Sequence, residues 1–129
     1  MIGVLVVTHG SIGEALLTSA TQILGAAPQQ VATLSVWRQD DPDDLVLRAR
    51  ELLEGLDAGD GVLVLTDIFG ATPGNVVSRL LEDGRIEGVS GVSLPMLLRV
   101  LTGRNGSLKG AVQRALSGGA EGLVHMNTD

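Results

Sequence analysis

Short continuous apolar runs alternate along the chain with longer segments in which apolar residues recur every three or four positions. The short runs are typical of strands buried on both faces of a parallel sheet, and the three- to four-residue spacing is typical of amphipathic helices. Strands are predicted at 2–7, 31–36, 62–67 and 86–94, with a final short strand near 123–126. Helices are predicted at 11–24, 40–56, 72–81, 95–102 and 107–116.

This alternation predicts an α/β fold with a doubly wound, mostly parallel sheet and helices on both faces, in three layers. The chain has 129 residues, the size of one domain, so we expect a single domain over 1–129. Ligands of such sheets bind beyond the carboxyl ends of the strands, where the strand order reverses. Functional side chains are therefore expected in the loops that follow the strands.

Composition and charge exclude several classes of function. Cysteine is absent, which excludes disulfides and thiolate metal sites, and two histidines cannot alone form a histidine-rich metal site, so no metal and no cofactor are expected. Fifteen acidic against nine basic residues give a net charge of −6, which argues against nucleic-acid binding. The apolar amino-terminal run is too short to span a membrane. We expect a soluble cytoplasmic protein with no direct membrane insertion.

Candidate chemistry lies at two strand ends. His9 follows the first predicted strand and Asp67 ends the third. A carboxylate beside an imidazole fixes its tautomer and leaves the other ring nitrogen free to attack an electrophile. The helix predicted to begin near Thr72 would present backbone N–H groups and a hydroxyl to an anion. Because neither GxxxxGK[ST] nor GxGxxG occurs, we expect a phosphoryl group delivered by a phosphorylated partner protein and not by a nucleotide.

Three segments carry a family resemblance: Val-Val-Thr-His-Gly ending at Gly10, Thr-Asp-Ile-Phe-Gly-Ala-Thr-Pro-Gly-Asn at 66–75, and Gly-Val-Ser-Leu-Pro-Met-Leu-Leu at 91–98. Together they resemble the mannose-type enzyme IIA of the bacterial phosphoenolpyruvate:sugar phosphotransferase system, over nearly the whole chain. Four positions differ from that pattern: Ala71 replaces a glycine, Thr72 a serine, Gly74 a phenylalanine and Ser93 an asparagine.

The resemblance implies a phosphotransferase component that works through a phosphohistidine intermediate. His9 would accept the phosphoryl group from the histidine-containing phosphocarrier protein and pass it to a IIB component during sugar uptake. Asp67 would be its carboxylate partner, and Gly10, Thr66 and Thr72 would surround the phosphoryl group. The resemblance also implies a homodimer in which a carboxyl-terminal edge strand, antiparallel to its neighbour, would be exchanged between subunits.

Exposed apolar residues near His9 are candidates for partner binding. Phe69 lies in a loop beside the expected site, where it would either contact a partner protein or fill the local core. Met96 follows Pro95 and could form part of an apolar rim for the same partner. Trp37, at the end of the second strand, is expected to pack at a sheet edge or a subunit interface.

Alternative functions remain open at this point. The domain could be a regulatory module whose phosphorylation state is read by a partner without sugar transport. It could also be the phosphoryl-donor subunit of a dihydroxyacetone kinase, which uses a similar domain. A hydrolase using Ser11 with His9 is disfavoured, because the two residues are near neighbours on one turn and no oxyanion loop is evident.

Overall fold

The computed structural model describes residues 1–127. They contain a sheet with the strands in the order β2-β1-β3-β4, every neighbouring pair parallel. The strands are β1 (Gly3–His9), β2 (Val31–Val36), β3 (Val62–Thr66) and β4 (Ile86–Ser90). The order reverses at β1, since β2 lies on one side of it and β3 on the other. This topology confirms the predicted doubly wound α/β class.

Helices cover both faces of the sheet and complete the three layers. They are α1 (Ile12–Leu24), α2 (Pro42–Leu56), α3 (Thr72–Ser78), α4 (Leu94–Leu101) and α5 (Leu108–Glu121). Alternate residues of β1 point to opposite faces, so Val4 and Val6 pack with α1, α4 and α5, whereas Leu5 and Val7 pack with α2 and α3. Both cores are almost entirely aliphatic. None of the helices in the described residues is long and apolar enough to cross a membrane.

Residues 123–126, where a final strand is predicted, form no strand in the single chain. The helix before it is instead longer than predicted and continues past Gly118 and Gly119 to Glu121. These glycines allow close packing of α5 on α4: a Cβ atom on Gly118 would lie 2.7 Å from the Cβ of Arg99. Sequence reasoning took the glycine pair as a helix end, whereas here it marks a helix contact.

Other boundaries differ by a few residues. Strand β1 reaches His9, two residues further than predicted, because it stays in register with β2 to the His9–Val36 pair. Helix α3 ends at Ser78 and β4 at Ser90, both earlier than predicted. The extension of β1 matters for the site, since it makes His9 the last residue of a strand and not part of a free turn.

Candidate functional site

His9 and Asp67 meet at the point where the strand order reverses. Strands β1 and β3 are neighbours, with Val7 opposite Thr66, so the residues that follow this pair emerge together at the carboxyl edge of the sheet. His9 is the last residue of β1, and Asp67 directly follows β3. The sequence prediction that these two side chains share one site agrees with this placement.

One carboxylate oxygen of Asp67 binds His9 twice. Its Oδ2 atom accepts a hydrogen bond from the backbone N–H of His9 at 3.1 Å and lies 2.8 Å from the ring Nδ1 atom. The other oxygen, Oδ1, accepts from the backbone N–H of Ile68 at 3.0 Å. Because a carboxylate only accepts hydrogen bonds, the Nδ1 atom carries the proton. The imidazole is thus fixed in orientation and tautomer, and its Nε2 atom keeps the lone pair.

The two partners differ in exposure. The His9 side chain is 49% exposed, whereas that of Asp67 is 13% exposed. Burial by itself would raise the pKa of Asp67, but the hydrogen bonds from His9, together with its charge when the ring is protonated, outweigh it, so the pKa of Asp67 lies below its usual value. The site therefore pairs an anchored carboxylate with an accessible nucleophilic nitrogen, an arrangement suited to group transfer.

Three further predicted residues lie at or just after the carboxyl ends of β1 and β3, near this pair. Thr66 is buried, and its hydroxyl lies 3.5 Å from Asp67 Oδ1, a long contact. The N–H of Gly10 already donates to the Val36 carbonyl at 2.9 Å, so it is not available to a phosphoryl group. Thr72 is the exposed first residue of α3, and Ala71, not Thr72, occupies the N-cap position. Since α3 has seven residues, its dipole contributes little.

The two predicted partner-binding residues have different environments. Phe69 is 81% exposed in the loop after β3, so it does not fill the local core. Met96 is 4% exposed and packs in the core between the sheet, α4 and α5. Met96 is therefore not placed for contact with a partner, because helix α4 turns it inward. Pro95, its exposed neighbour, occupies the outer side of this turn.

Two residues that support His9 were not singled out from the sequence as part of the site. The Thr8 side chain is buried, and its hydroxyl accepts a hydrogen bond from the N–H of Gly13 at 2.8 Å, which fixes the start of α1 behind the histidine. Trp37 lies against Gly10, where a Cβ atom would be 3.2 Å from the ring Cζ3 atom. A threonine inside an apolar strand is the signal that could have indicated the first of these contacts.

Gly74 fits a close approach between α3 and the loop after β3. A Cβ atom at this position would lie 2.9 Å from the carbonyl oxygen of Ile68. Since that neighbour is backbone, a larger residue would have to displace the loop that carries Phe69. Ser93, which also differs from the family pattern, caps α4 by accepting from the N–H of Met96 at 3.3 Å. The replacements at Gly74 and Ser93 are both accommodated locally.

No group of three or more metal-ligating side chains is found within residues 1–127. In the part of the chain that the structure describes, the candidate site is centred on one imidazole and one carboxylate, those of His9 and Asp67.

Fold and site together define the class of protein. The sequence model of the family described as "PTS system fructose IIA component" matches residues 3–116. This chain belongs to that family, the EIIA components of the bacterial phosphotransferase system, which confirms the resemblance drawn from the three sequence segments.

Individual relatives agree with this assignment. The chain is 32% identical over 125 residues to the "PTS system mannose-specific EIIAB component" of Escherichia coli K12, covering 95% of this chain but only 38% of that protein. It is 33% identical over 103 residues to the "PTS system fructose-specific EIIA component" of Bacillus subtilis, covering 79% of this chain and 70% of that protein. The chain thus spans well under half the length of the E. coli relative.

Solved structures show the same fold. The EIIA component from Streptococcus agalactiae superposes with a TM-score of 0.88 at 27% identity, over 100% of both chains. The mannose/sorbose-specific IIA subunit from Enterococcus faecalis superposes with a TM-score of 0.86 over 99% of this chain and 96% of that one. At 20% identity, the second likeness establishes the fold only.

Proposed function

We propose that this protein is a cytoplasmic phosphocarrier in which His9 Nε2 accepts a phosphoryl group from the histidine-containing phosphocarrier protein and passes it to a IIB component. The observation that carries this proposal is the 2.8 Å contact between His9 Nδ1 and Asp67 Oδ2, which leaves Nε2 as the exposed nucleophile. The family membership supports the same role.

In the proposed transfer, a bond forms between Nε2 and phosphorus while the bond between phosphorus and the donor's histidine nitrogen breaks. The donor's ring takes the electron pair of the broken bond. The proton on Nδ1 of His9 stays in its hydrogen bond to Asp67, so the positive charge that develops on the phosphorylated ring faces a carboxylate. Catalysis consists of alignment and electrostatic stabilisation, because neither the bond that forms nor the bond that breaks requires a proton to move through solvent.

Among the other predicted residues, Thr72 is best suited to contact the phosphoryl group. Its side chain is exposed at the carboxyl edge, and its hydroxyl has no hydrogen-bond partner within residues 1–127. Thr66 is placed to support Asp67 and not the phosphoryl group directly, since it is buried beside that carboxylate. The turn at Gly10 positions the histidine by its left-handed conformation, with φ of +49°.

The proposal is tested by incubating the protein with phosphoenolpyruvate, enzyme I and the histidine-containing phosphocarrier protein. We expect a phosphoryl adduct that is stable to base and lost in acid, detected by intact mass and by peptide mapping to His9. Onward transfer is tested by adding a IIB component, which should remove the adduct. Absence of any adduct on the wild-type protein would refute the phosphocarrier function.

We also propose that the protein is a homodimer in which residues 123–126 are exchanged. Leu123, Val124 and Met126 are largely exposed in the single chain. Strand β4 lies at the edge of the sheet beside a cavity of about 400 Å³ formed by α3, β4 and α5. An unpaired edge strand beside an apolar groove can accept an additional strand, and the exposed segment of a second copy fits this description.

A variant that ends at Gly122 tests this proposal. We expect it to sediment as a monomer while the full chain sediments as a dimer, because the truncated protein lacks the apolar segment that would add to β4. Unchanged far-ultraviolet circular dichroism serves as the control for folding. A dimeric truncated variant, or a full chain that is monomeric at micromolar concentration, would contradict exchange.

The alternative roles in regulation or in a dihydroxyacetone kinase are not favoured by the site. Both would use the same phosphorylated histidine, and no described residue distinguishes them from the transport role.

A further inference from the structure

Trp37 occupies a distinctive place beside the reactive histidine. It directly follows β2, whose last residue, Val36, is the register partner of His9. Its ring lies against Gly10, the residue after His9. The backbone around Trp37 is fixed by a reciprocal pair of hydrogen bonds: its N–H donates to Asp40 Oδ2 at 2.8 Å, and its carbonyl accepts from the N–H of Asp40 at 3.0 Å.

This anchored tryptophan is 51% exposed. Large apolar side chains are also exposed at Ile12, Ile68 and Phe69, and each lies within three residues of the end of a strand. Loops after three adjacent strands therefore present apolar surface around His9. Exposed large apolar side chains gathered at one edge of a sheet are typical of a protein interface, and tryptophans commonly contribute much of the binding energy there.

Charge on the Trp37 side of this surface indicates the chemistry of the partner. Residues 37–44 contain four aspartates and one arginine. Three of the aspartates have contacts within the chain: Asp41 caps α2 by accepting from the N–H of Asp43 at 2.9 Å, Asp40 holds the tryptophan turn, and the carboxylate of Asp43 pairs with Arg79 at 2.9 Å. Their charge nevertheless stays near the protein surface. A complementary partner would present an apolar patch bordered by lysines and arginines.

We propose that Trp37 is the anchor of the docking surface for the protein that donates the phosphoryl group, and that residues 40–44 attract basic side chains bordering that donor's apolar patch. This inference rests on the proposed function, because it concerns the partner of the same site. Trp37 does not touch the reacting atoms. It determines how tightly the donor binds and not how fast the bound donor reacts.

The test measures transfer from the phosphorylated histidine-containing phosphocarrier protein to wild type, Trp37→Ala and Trp37→Phe. We expect Trp37→Ala to raise the KM for the donor by about 10- to 30-fold with kcat unchanged, the loss typical of an interface anchor. Trp37→Phe should recover part of this loss because it keeps a ring over Gly10. Wild-type KM should rise with salt concentration, and Asp44→Asn should weaken that dependence.

Ile23→Ala is the matched control, since Ile23 is also more than half exposed but lies near the end of α1, at the opposite edge of the sheet. It should leave KM unchanged. Calorimetric binding of the unphosphorylated phosphocarrier protein separates the two proposals. Wild-type binding that Trp37→Ala weakens, without any phosphoryl adduct, would refute only the phosphocarrier function. The docking role would be overturned if wild type and Trp37→Ala bound with equal affinity, or if wild type did not bind at all. It would also be overturned if Trp37→Ala lowered kcat at unchanged KM.

Discussion

Replacement of His9 by glutamine is expected to abolish formation of the acid-labile phosphoryl adduct. Glutamine keeps a polar side chain of similar reach but has no ring nitrogen with a free lone pair. In the proposed mechanism His9 Nε2 is the nitrogen that the contact with Asp67 leaves free, so no adduct is expected without it. The measurement is the intact mass after incubation with phosphoenolpyruvate, enzyme I and the phosphocarrier protein.

His125→Gln is the matched control, since His125 is the other histidine of the chain. It follows α5 and is not part of the His9–Asp67 pair. This variant should be phosphorylated like the wild type. An adduct that persists in His9→Gln and disappears in His125→Gln would contradict the assignment to His9 and show that His125 is the phosphorylated residue.

The second large effect is expected for Asp67→Asn, which should slow phosphoryl transfer to His9 by about 10- to 100-fold. A hydrogen bond to a charged group contributes about 1.5–3 kcal/mol, and about 1.4 kcal/mol corresponds to a tenfold change in rate. Asparagine keeps an oxygen that can accept from the ring, but it lacks the charge that balances the phosphorylated imidazole. Rapid-quench measurement of a single turnover at saturating donor gives the rate constant.

Asp83→Asn provides the control for this second variant. Asp83 is exposed in the turn before β4, at the opposite edge of the sheet, so its replacement removes the same charge far from the site. It should leave the rate constant at saturating donor unchanged. An Asp67→Asn protein that reacts at the wild-type rate would show that the carboxylate does not assist the transfer.

The lowered pKa of Asp67 also predicts a pH dependence of stability. A carboxyl group whose pKa is lower in the folded than in the unfolded chain stabilises the fold above its unfolded pKa, about 3.9 for aspartate. That contribution is lost as the pH falls through the folded-state pKa. The free energy of unfolding in urea, compared between neutral pH and about pH 3, should therefore fall less for Asp67→Asn than for wild type.

Much of the fold could be predicted from the pattern of apolar residues in the sequence. The strands 31–36 and 62–66 and the helices α1 and α2 match the prediction closely, because each combines strong periodicity with a clear turn or cap. Asp41 illustrates this, since its side chain caps α2 as the aspartate run predicted. The boundary of α5 was predicted wrongly because a glycine can either end a helix or allow another helix to pack closely. Gly118 marks close helix packing and not a helix end, and the sequence alone does not contain the neighbour that decides between them.

The candidate site, like the fold, could be predicted from the sequence only in part. Predicting that His9 and Asp67 lie together needed only two strand ends and the rule that parallel strands end at one edge. The burial of Met96, the exposure of Phe69 and the contact of Trp37 with Gly10 could not be predicted, because each depends on how one element packs against another.

The sequence by itself determined the class of fold, the candidate pair of His9 and Asp67, and the absence of cysteine and of a nucleotide-binding motif. These follow from residue type and local periodicity, which are properties of the chain. Only the tertiary structure decided which nitrogen of His9 contacts Asp67, that one oxygen of Asp67 binds both the ring and the backbone of His9, and which apolar side chains are exposed. Those properties arise from long-range packing, where residues 58 positions apart come within hydrogen-bond distance.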